Sequence, residues 1–279
     1  MASTKTIEQK RKTTSNIHKI TRTMELVATA KLKLAKRHYA EFMLYRDNTF
    51  AIFQSMALAS DAHDLMKERA AKKVIIVVIA SNKGLCGSYN THLVESALAL
   101  QKKLTTEKKT ALLYVVGRKA ISYLKFHEIE IAKAYENFPD QPKFLQIENL
   151  GQELMSLYNE HTIDQIWLLY SQKLKITQQL LLPFSLPTKE ESQLKWDYAY
   201  SPSQSSVLEH LLPMCVNLKL FGAFLDASVS EQTSRMLAMK TATENAEKMI
   251  KQLTQKYNRA RQAQITQEIL EILAGAETR

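Results

Sequence analysis

The residues best placed to do chemistry lie in the turn Ser81-Asn82-Lys83-Gly84-Leu85-Cys86-Gly87-Ser88. It follows the Val/Ile-rich run Val74–Ala80 and precedes a helical pattern from Asn90 to Lys103. Dinucleotide-binding enzymes hold a pyrophosphate at such a strand-to-helix turn, where backbone N–H groups converge at a helix N-terminus. The spacing here fits neither G-x-G-x-x-G nor G-x-x-x-x-G-K-[ST], and no acidic residue ends the second strand to take a ribose. The turn is therefore read as structural. Cys86 stands near a helix N-terminus, where a thiol pKa is lowered, but it is read as a buried small residue. Histidines at 18, 38, 63, 92, 127, 161 and 210 lack helical ligand spacing, and neither H-E-x-x-H nor C-x-x-C occurs. There is no G-x-S-x-G elbow, and Glu190-Glu191 sits in a polar stretch that reads as solvated surface. The expectation is no catalytic residue, no metal and no cofactor.

What remains to be positioned is a surface, and the two ends of the chain supply it. Between Gly222 and Gly275 there is no glycine and no proline, so nothing there breaks a helix. Leu225, Val229, Met236, Met239, Ala246, Ile250, Leu253, Tyr257 and Ala260 fall on alternating steps of four and three, with Gln232 and Thr243 the polar members of the seam. After Ala260 the register slips by one residue and resumes as Ile265, Ile269, Ile272 and Ala276. A helix of this length runs roughly 75–80 Å at 1.5 Å per residue, so it needs a long partner. Residues 3 to about 58 offer one, uninterrupted by Gly or Pro. Its apolar stripe is read as Ile17, Ile20, Met24, Val27 and Leu34, continued by Phe42, Tyr45, Ile52 and Met56, with Ala28, Ala30 and Ala35 allowing close approach. Arg259, Arg261, Gln262, Gln264, Thr266, Gln267 and Glu268 crowd the place where the other seam slips, as in a bare helix tip seated inside a partner.

The middle of the chain alternates strand and helix. Strands are expected at 74–80, 111–116, 129–134, 163–170 and 177–182, the last two forming a hairpin, with helices at 90–103, 118–126 and 144–159. Pro183 and Pro187 open a linker, Trp196–Tyr200 reads as a short aromatic strand, and the return helix from about Ser205 is expected to bend at Pro213 and Gly222. The fold class is α/β: a long antiparallel coiled coil of N- and C-terminal helices (1–60 and 205–279) with an inserted small α/β, Rossmann-like domain (74–200).

Composition agrees. The 6 Gly and 6 Pro make up about 4% of residues, against roughly 12% in an average protein. The formal charge of +10 is concentrated at the start, where residues 1–46 carry eleven Lys or Arg against three Glu. Such a stripe suits nucleic acid, an anionic membrane surface or an acidic protein. Only Tyr39 could stack on bases within the first forty residues. The two cysteines stand apart, as in a reducing compartment, and the N-terminus lacks a secretory signal's apolar core.

Five stretches resemble the gamma subunit of the F-type ATP synthase, of bacterial type. They are Ile20-Thr21-Arg22-Thr23-Met24-Glu25-Leu26-Val27-Ala28; the turn Ser81 to Asn90; Trp196-Asp197-Tyr198-Ala199-Tyr200; Ser230-Glu231-Gln232 through Arg235-Met236 and Met239-Lys240 to Ala242-Thr243; and Tyr257 through Glu268 to Gly275-Ala276. Asn82 stands where the family usually has Asp, Thr23 where Ala is common, and the photosynthetic members' cysteine-bearing insertion has no counterpart. The resemblance implies a non-catalytic central rotor shaft, transmitting torque between a membrane c ring and catalytic subunits in proton-driven ATP synthesis. Partners would be three alpha and three beta subunits, epsilon and the c-subunit ring. Met24, Arg235, Arg261, Gln262, Thr266 and Glu268 would face the alpha/beta ring, and Tyr198 and Tyr200 the foot near epsilon and the c ring. It further implies a peripheral protein on the cytoplasmic face of the bacterial inner membrane. Two other classes stay in view: a nucleic-acid-binding coiled coil using the basic helix, with affinity falling steeply with salt, and a nucleotide-dependent α/β enzyme with helical arms.

Overall fold

The computed structural model describes residues 4–57, 63–140, 143–185 and 203–277. In chain order these form α1 (Thr4–Ala57), β1 (Lys73–Ile79), α2 (Tyr89–Thr106), β2 (Thr110–Val116), α3 (Arg118–Phe126), β3 (Lys133–Tyr135), α4 (Phe144–Asn159), β4 (Gln165–Gln172), β5 (Lys175–Leu182) and α5 (Gln204–Glu277). They divide into two compact units, one of Ala30–Ser234 and one of Met1–Thr29 with Arg235–Arg279. The linker from Pro187 and the aromatic stretch Trp196–Tyr200 lie outside the described residues.

In the unit Ala30–Ser234 the sheet order is β3-β2-β1-β4-β5. The β3, β2, β1 and β4 pairings are parallel, and β5 returns antiparallel to β4. β1 is central because both its faces are apolar. Val74, Ile76 and Val78 pack with α2 and α3 through Leu93, Ala97 and Ile121. Ile75, Val77 and Ile79 pack with α4 and α5 through Leu154, Leu212 and Leu220. The expected 129–134 strand is shorter and later. The hairpin turns on Lys173 and Leu174, both at positive φ (50° and 65°), the backbone of a two-residue primed turn that tightens the link between β4 and β5.

α5 runs unbroken through Pro213. Gly222 permits close approach, since a Cβ there would come 3.3 Å from the Phe42 ring. Gly151 on α4 is tighter still, because a Cβ would collide with Asn217 Oδ1 on α5.

In the unit Met1–Thr29 with Arg235–Arg279 the helices are antiparallel. Thr4 Oγ1 donates to Gln264 Oε1 at 2.9 Å, the Arg11 guanidinium lies 5.0 Å from the Tyr257 ring centre, and Thr243 Oγ1 donates to Thr21 Oγ1 at 3.0 Å. The α5 seam is as read, with Met239, Thr243 and Ala246 buried and Ile250, Leu253, Tyr257 and Ala260 half-buried. The α1 stripe is not. Ile17 (48% exposed), Ile20 (58%) and Val27 (51%) face outward, as do Met24 and, in the other unit, Leu34, Tyr45 and Ile52. The least exposed positions are Thr4, Ile7, Arg11, Thr14, His18, Thr21, Glu25 and Ala28, continued in the other unit by Leu32, Ala35, Tyr39, Phe42, Arg46, Thr49, Phe53 and Met56. Through residue 39 that series lies one position on from the apolar one, about 100° round the helix. Small side chains let the helices close, and threonine hydroxyls bond within the seam or back to the preceding turn, as Thr14 Oγ1 does to Lys10 O at 2.9 Å.

Gly151→Ala is expected to destabilise the chain by about 1–3 kcal/mol through overpacking. Adding Asn217→Ala, which removes the atoms in the way, should recover part of that loss. Equilibrium urea unfolding of the two single variants and the double measures it, and additive losses would show that Asn217 is not the obstacle.

Candidate functional site

The turn after β1 is built from its own polar groups. Ser81 N donates to Asn90 Oδ1 at 3.1 Å, and Leu85 and Gly87 take positive φ values of 62° and 61°. Gly117, at φ 105°, carries the end of β2 past Ala80 so closely that a Cβ would meet the Ala80 carbonyl oxygen. Here lies the crevice at the carboxyl ends of the strands, where an α/β sheet binds nucleotides. In this protein α5 fills it. Tyr89 Oη donates to Ala227 O (3.3 Å), Ser234 Oγ donates to Cys86 O (2.6 Å), and Phe224 stacks on Phe138 with ring centres 5.1 Å apart. The space left beside Ala80, Asn82, Tyr89, Phe138 and Glu231 is about 30 Å³, room for one water, against roughly 300 Å³ or more for a cofactor site. Cys86 is buried, as read, and burial pushes the Cys215 thiol up to about 12. Neither is poised to react.

A second polar set joins α1, β4 and α5. Asp226 accepts from Gln172 Nε2 at 2.9 Å and from the Tyr39 hydroxyl. Burial raises its carboxyl above the usual range, more than these bonds and Arg46 lower it.

The predicted surface residues fall in two groups. Met24 is exposed on α1 and Arg235 is half-buried on α5. Arg261, Gln262, Thr266 and Glu268 are all exposed, about 39–50 Å beyond Arg235 at 1.5 Å per residue. Thr266 Oγ1 donates to Gln262 O at 2.9 Å, and Gln264 Nε2 donates to Glu268 Oε1 at 2.9 Å. α5 extends thirteen residues past Gln264, the residue that meets Thr4. On that extension Ile265, Ile269, Leu270, Ile272 and Leu273 are exposed. Tyr198 and Tyr200 lie outside the described residues.

An ATP synthase family model matches residues 3–278. The ATP synthase gamma chain of Rhodopirellula baltica is 38% identical over 292 residues, covering 99% of this chain and 99% of its own. That of an Exiguobacterium species is 35% identical over 285 residues, with 99% of each covered. The chain belongs to the ATP synthase gamma chain family. Two solved structures show the same fold at lower identity. The rotor of the Euglena gracilis mitochondrial ATP synthase matches with TM-score 0.64 at 17% identity, covering 94% of this gamma chain and 98% of its own. The central stalk and c ring of the Tetrahymena thermophila enzyme gives 0.56 at 21% identity, covering 80% and 99%.

Against that family, the departure at position 82 acquires a reason in this gamma chain. Asn82 Nδ2 donates to Phe138 O (2.6 Å) and to Asp140 Oδ1 (3.1 Å), while its Oδ1 accepts from Arg118 N (3.3 Å). Burial works against ionisation of Asp140, but the Asn82 amide and the Lys83 ammonium, 3.0 Å away, hold its carboxyl below the usual range. An ionised Asp at 82 could not donate and would face a second carboxylate. Sequence reasoning missed the plug in the crevice and the outward apolar face of α1. The signal for the latter was the strict three-and-four spacing of Thr4, Ile7, Arg11, Thr14, His18 and Thr21.

Asn82→Asp is expected to cost about 1–3 kcal/mol, because the Phe138 carbonyl loses its donor. Adding Asp140→Asn should restore part of it, read from unfolding midpoints. Asp226 gives a pH test. Its raised native pKa means that Asp226's own contribution to stability is fully present below the unfolded value of about 3.9 and is lost as pH rises through the native value. Asp226→Asn should therefore raise the melting temperature at neutral pH, with the gain fading as pH falls toward 4; a gain independent of pH would contradict the burial argument.

Proposed function

We propose that this gamma chain is the central rotor shaft of an F-type ATP synthase, transmitting torque between a membrane c ring and the catalytic alpha and beta subunits in proton-driven ATP synthesis. The observation that carries the reading is the end-to-end family match on a chain whose longest helix overhangs its partner and leaves an apolar tip uncovered. Contiguous exposed apolar surface marks an interaction site. A ring of three alpha and three beta subunits would enclose the tip. Met24 and Arg235 would meet the ring at one level, and Arg261, Gln262, Thr266 and Glu268 at another.

The three-part organisation, 1–60 and 205–279 as shaft helices with 74–200 as an inserted domain, follows from this role. The inserted domain would sit at the foot, with epsilon and the c ring reached through Tyr198 and Tyr200. As part of F1 of the membrane-bound ATP synthase, the chain is a peripheral component; we place it on the cytoplasmic face of the bacterial inner membrane. One 18-residue window of α5 is apolar enough to cross a membrane, but 61% of it is buried, as in the core helix of a folded unit. No cofactor and no catalytic residue enter the mechanism. Charge on α1 supports an acidic protein partner over nucleic acid, because its Lys and Arg alternate with Ile20, Met24 and Val27 rather than with stacking aromatics.

Co-expression with the cognate alpha and beta subunits tests the role. The chain should co-purify at one copy per three of each and raise sustained ATP hydrolysis. Truncation from Arg261 onward should spare assembly but lower proton pumping per ATP hydrolysed severalfold, measured in inverted membrane vesicles. Unchanged coupling after truncation would remove the proposed function of the tip.

A further inference from the structure

A second cavity in the unit Ala30–Ser234 has nothing in the rotor reading to explain it. It measures about 470 Å³ and opens where β4 turns into β5, walled by α1 and α5. That volume is within the roughly 300–1,000 Å³ of small-molecule sites. Lys219 of α5 lines it. Its Nζ donates to Ser185 O at 3.3 Å and lies 5.2 Å from the Phe184 ring centre. Burial alone pushes this ammonium down to about 8, with no carboxylate among the described residues offsetting it. Asp226 lines the same cavity, but seven residues along α5, about 10 Å away, and it is engaged by Gln172 and Tyr39. Arg46 of α1 also lines the cavity, bonded through Nε and Nη2 to Asp47 Oδ1. The remaining wall is rich in amides. Gln179 uses its Oε1 to accept from Tyr170 at 2.9 Å, which leaves its NH₂ to donate, and Gln54 stands across from it on α1.

A cation drawn from water without a counter-charge is costly, and an anion that reaches it removes the cost. We infer that this cavity binds a small organic anion, its carboxylate or phosphate group held by Lys219 Nζ and its polar body by the amides of Gln54 and Gln179. Such a ligand touches α1, α5 and the β4–β5 hairpin together, so binding ties these elements and stabilises the unit.

Isothermal titration of the purified full-length chain with two probes, citrate and pyrophosphate, tests this, with melting temperatures recorded for each protein. At least one probe should bind at pH 7 and raise the melting temperature; which one does so separates a carboxylate from a phosphate ligand. Lys219→Met, which keeps an apolar stem in place, should fold and lose about tenfold or more in affinity, while Lys219→Arg retains binding. Wild-type affinity should fall about tenfold per pH unit above 8, and that of Lys219→Arg should stay level. Tyr170, pushed up to about 12, and Tyr39, also raised, titrate above this window. Asp47, Asp226 and the nearby Lys173 are the other charged groups, so Asp226→Asn is run as a control and should keep the wild-type pH slope. No binding of either probe up to about 10 mM, or a Lys219→Met chain that binds as tightly as wild type, would overturn the inference. Neither result bears on assembly with alpha and beta subunits.

Discussion

The packing of α5 over the carboxyl ends of β1 and β4 holds the α/β unit closed, because it is reached from several elements at once. Tyr89 and the Cys86 carbonyl meet it from the turn before α2 and from the helix itself, Gln172 meets it from β4, and Phe138 stacks on Phe224 from the loop after β3. Each of these polar bonds contributes only about 0.5–1.5 kcal/mol net. The apolar residues beside them matter more. Leu212, Leu220, Ala223 and Phe224 belong to the same buried cluster as Ile75, Val77 and Ile79, and burying a large apolar side chain is worth about 1.5–3 kcal/mol. The polar groups then decide where along the sheet the helix sits, since apolar contact alone has no preferred register.

The same helix meets α1 in two chemically different ways. In the unit Ala30–Ser234 the α1 seam ends in Phe53 and Met56, both essentially inaccessible, and Phe42 lies edge-on to Phe221 of α5 at 5.0 Å. In the unit Met1–Thr29 with Arg235–Arg279 it consists of Thr, Arg, His and Glu with a few small apolar residues, and the cross-helix contacts are a threonine pair, a cation over a ring and a Thr–Met contact. Little apolar area is removed from water per turn there. The larger apolar residues of α1, Ile17, Ile20 and Val27, are left outside. Here α1 pairs through its small and polar residues while α5 pairs through its apolar seam, and the apolar surface left exposed on α1 is of the kind that marks interaction sites.

That inversion explains which parts were legible in the sequence. β1 was readable because a strand buried on both faces has to be apolar throughout, and the α5 seam because Met239, Ala246, Ile250 and Leu253 mark it with ordinary coiled-coil chemistry. The α1 seam was misread because apolar periodicity marks an apolar face of the helix and nothing more. It does not say whether the helix's own partner or another chain covers that face. Thr14, Thr21 and Ala28 carry the intramolecular contact in residues that score as neutral. Gly222 shows a related ambiguity: glycine in a helix signals a bend or a close approach, and the approach to Phe42 is visible only in the fold. Asn82 is plain in the sequence, but the acceptors that give it a role, Phe138 O and Asp140, lie 56 and 58 residues away.

The crevice carries the argument from fold to function. A parallel sheet with a glycine-bearing turn after its first strand is a common nucleotide scaffold, and analogy of fold would have suggested an enzyme. What excludes a cofactor from this crevice is volume: about 30 Å³ remains once Ala227, Ser228 and Glu231 of α5 are in place. The turn's positive-φ residues and Gly117 still bring backbone unusually close to the end of β1, but what they bring it close to is another helix. Geometry that elsewhere admits a pyrophosphate here seats α5, which continues without a break as the helix whose far end projects past Thr4.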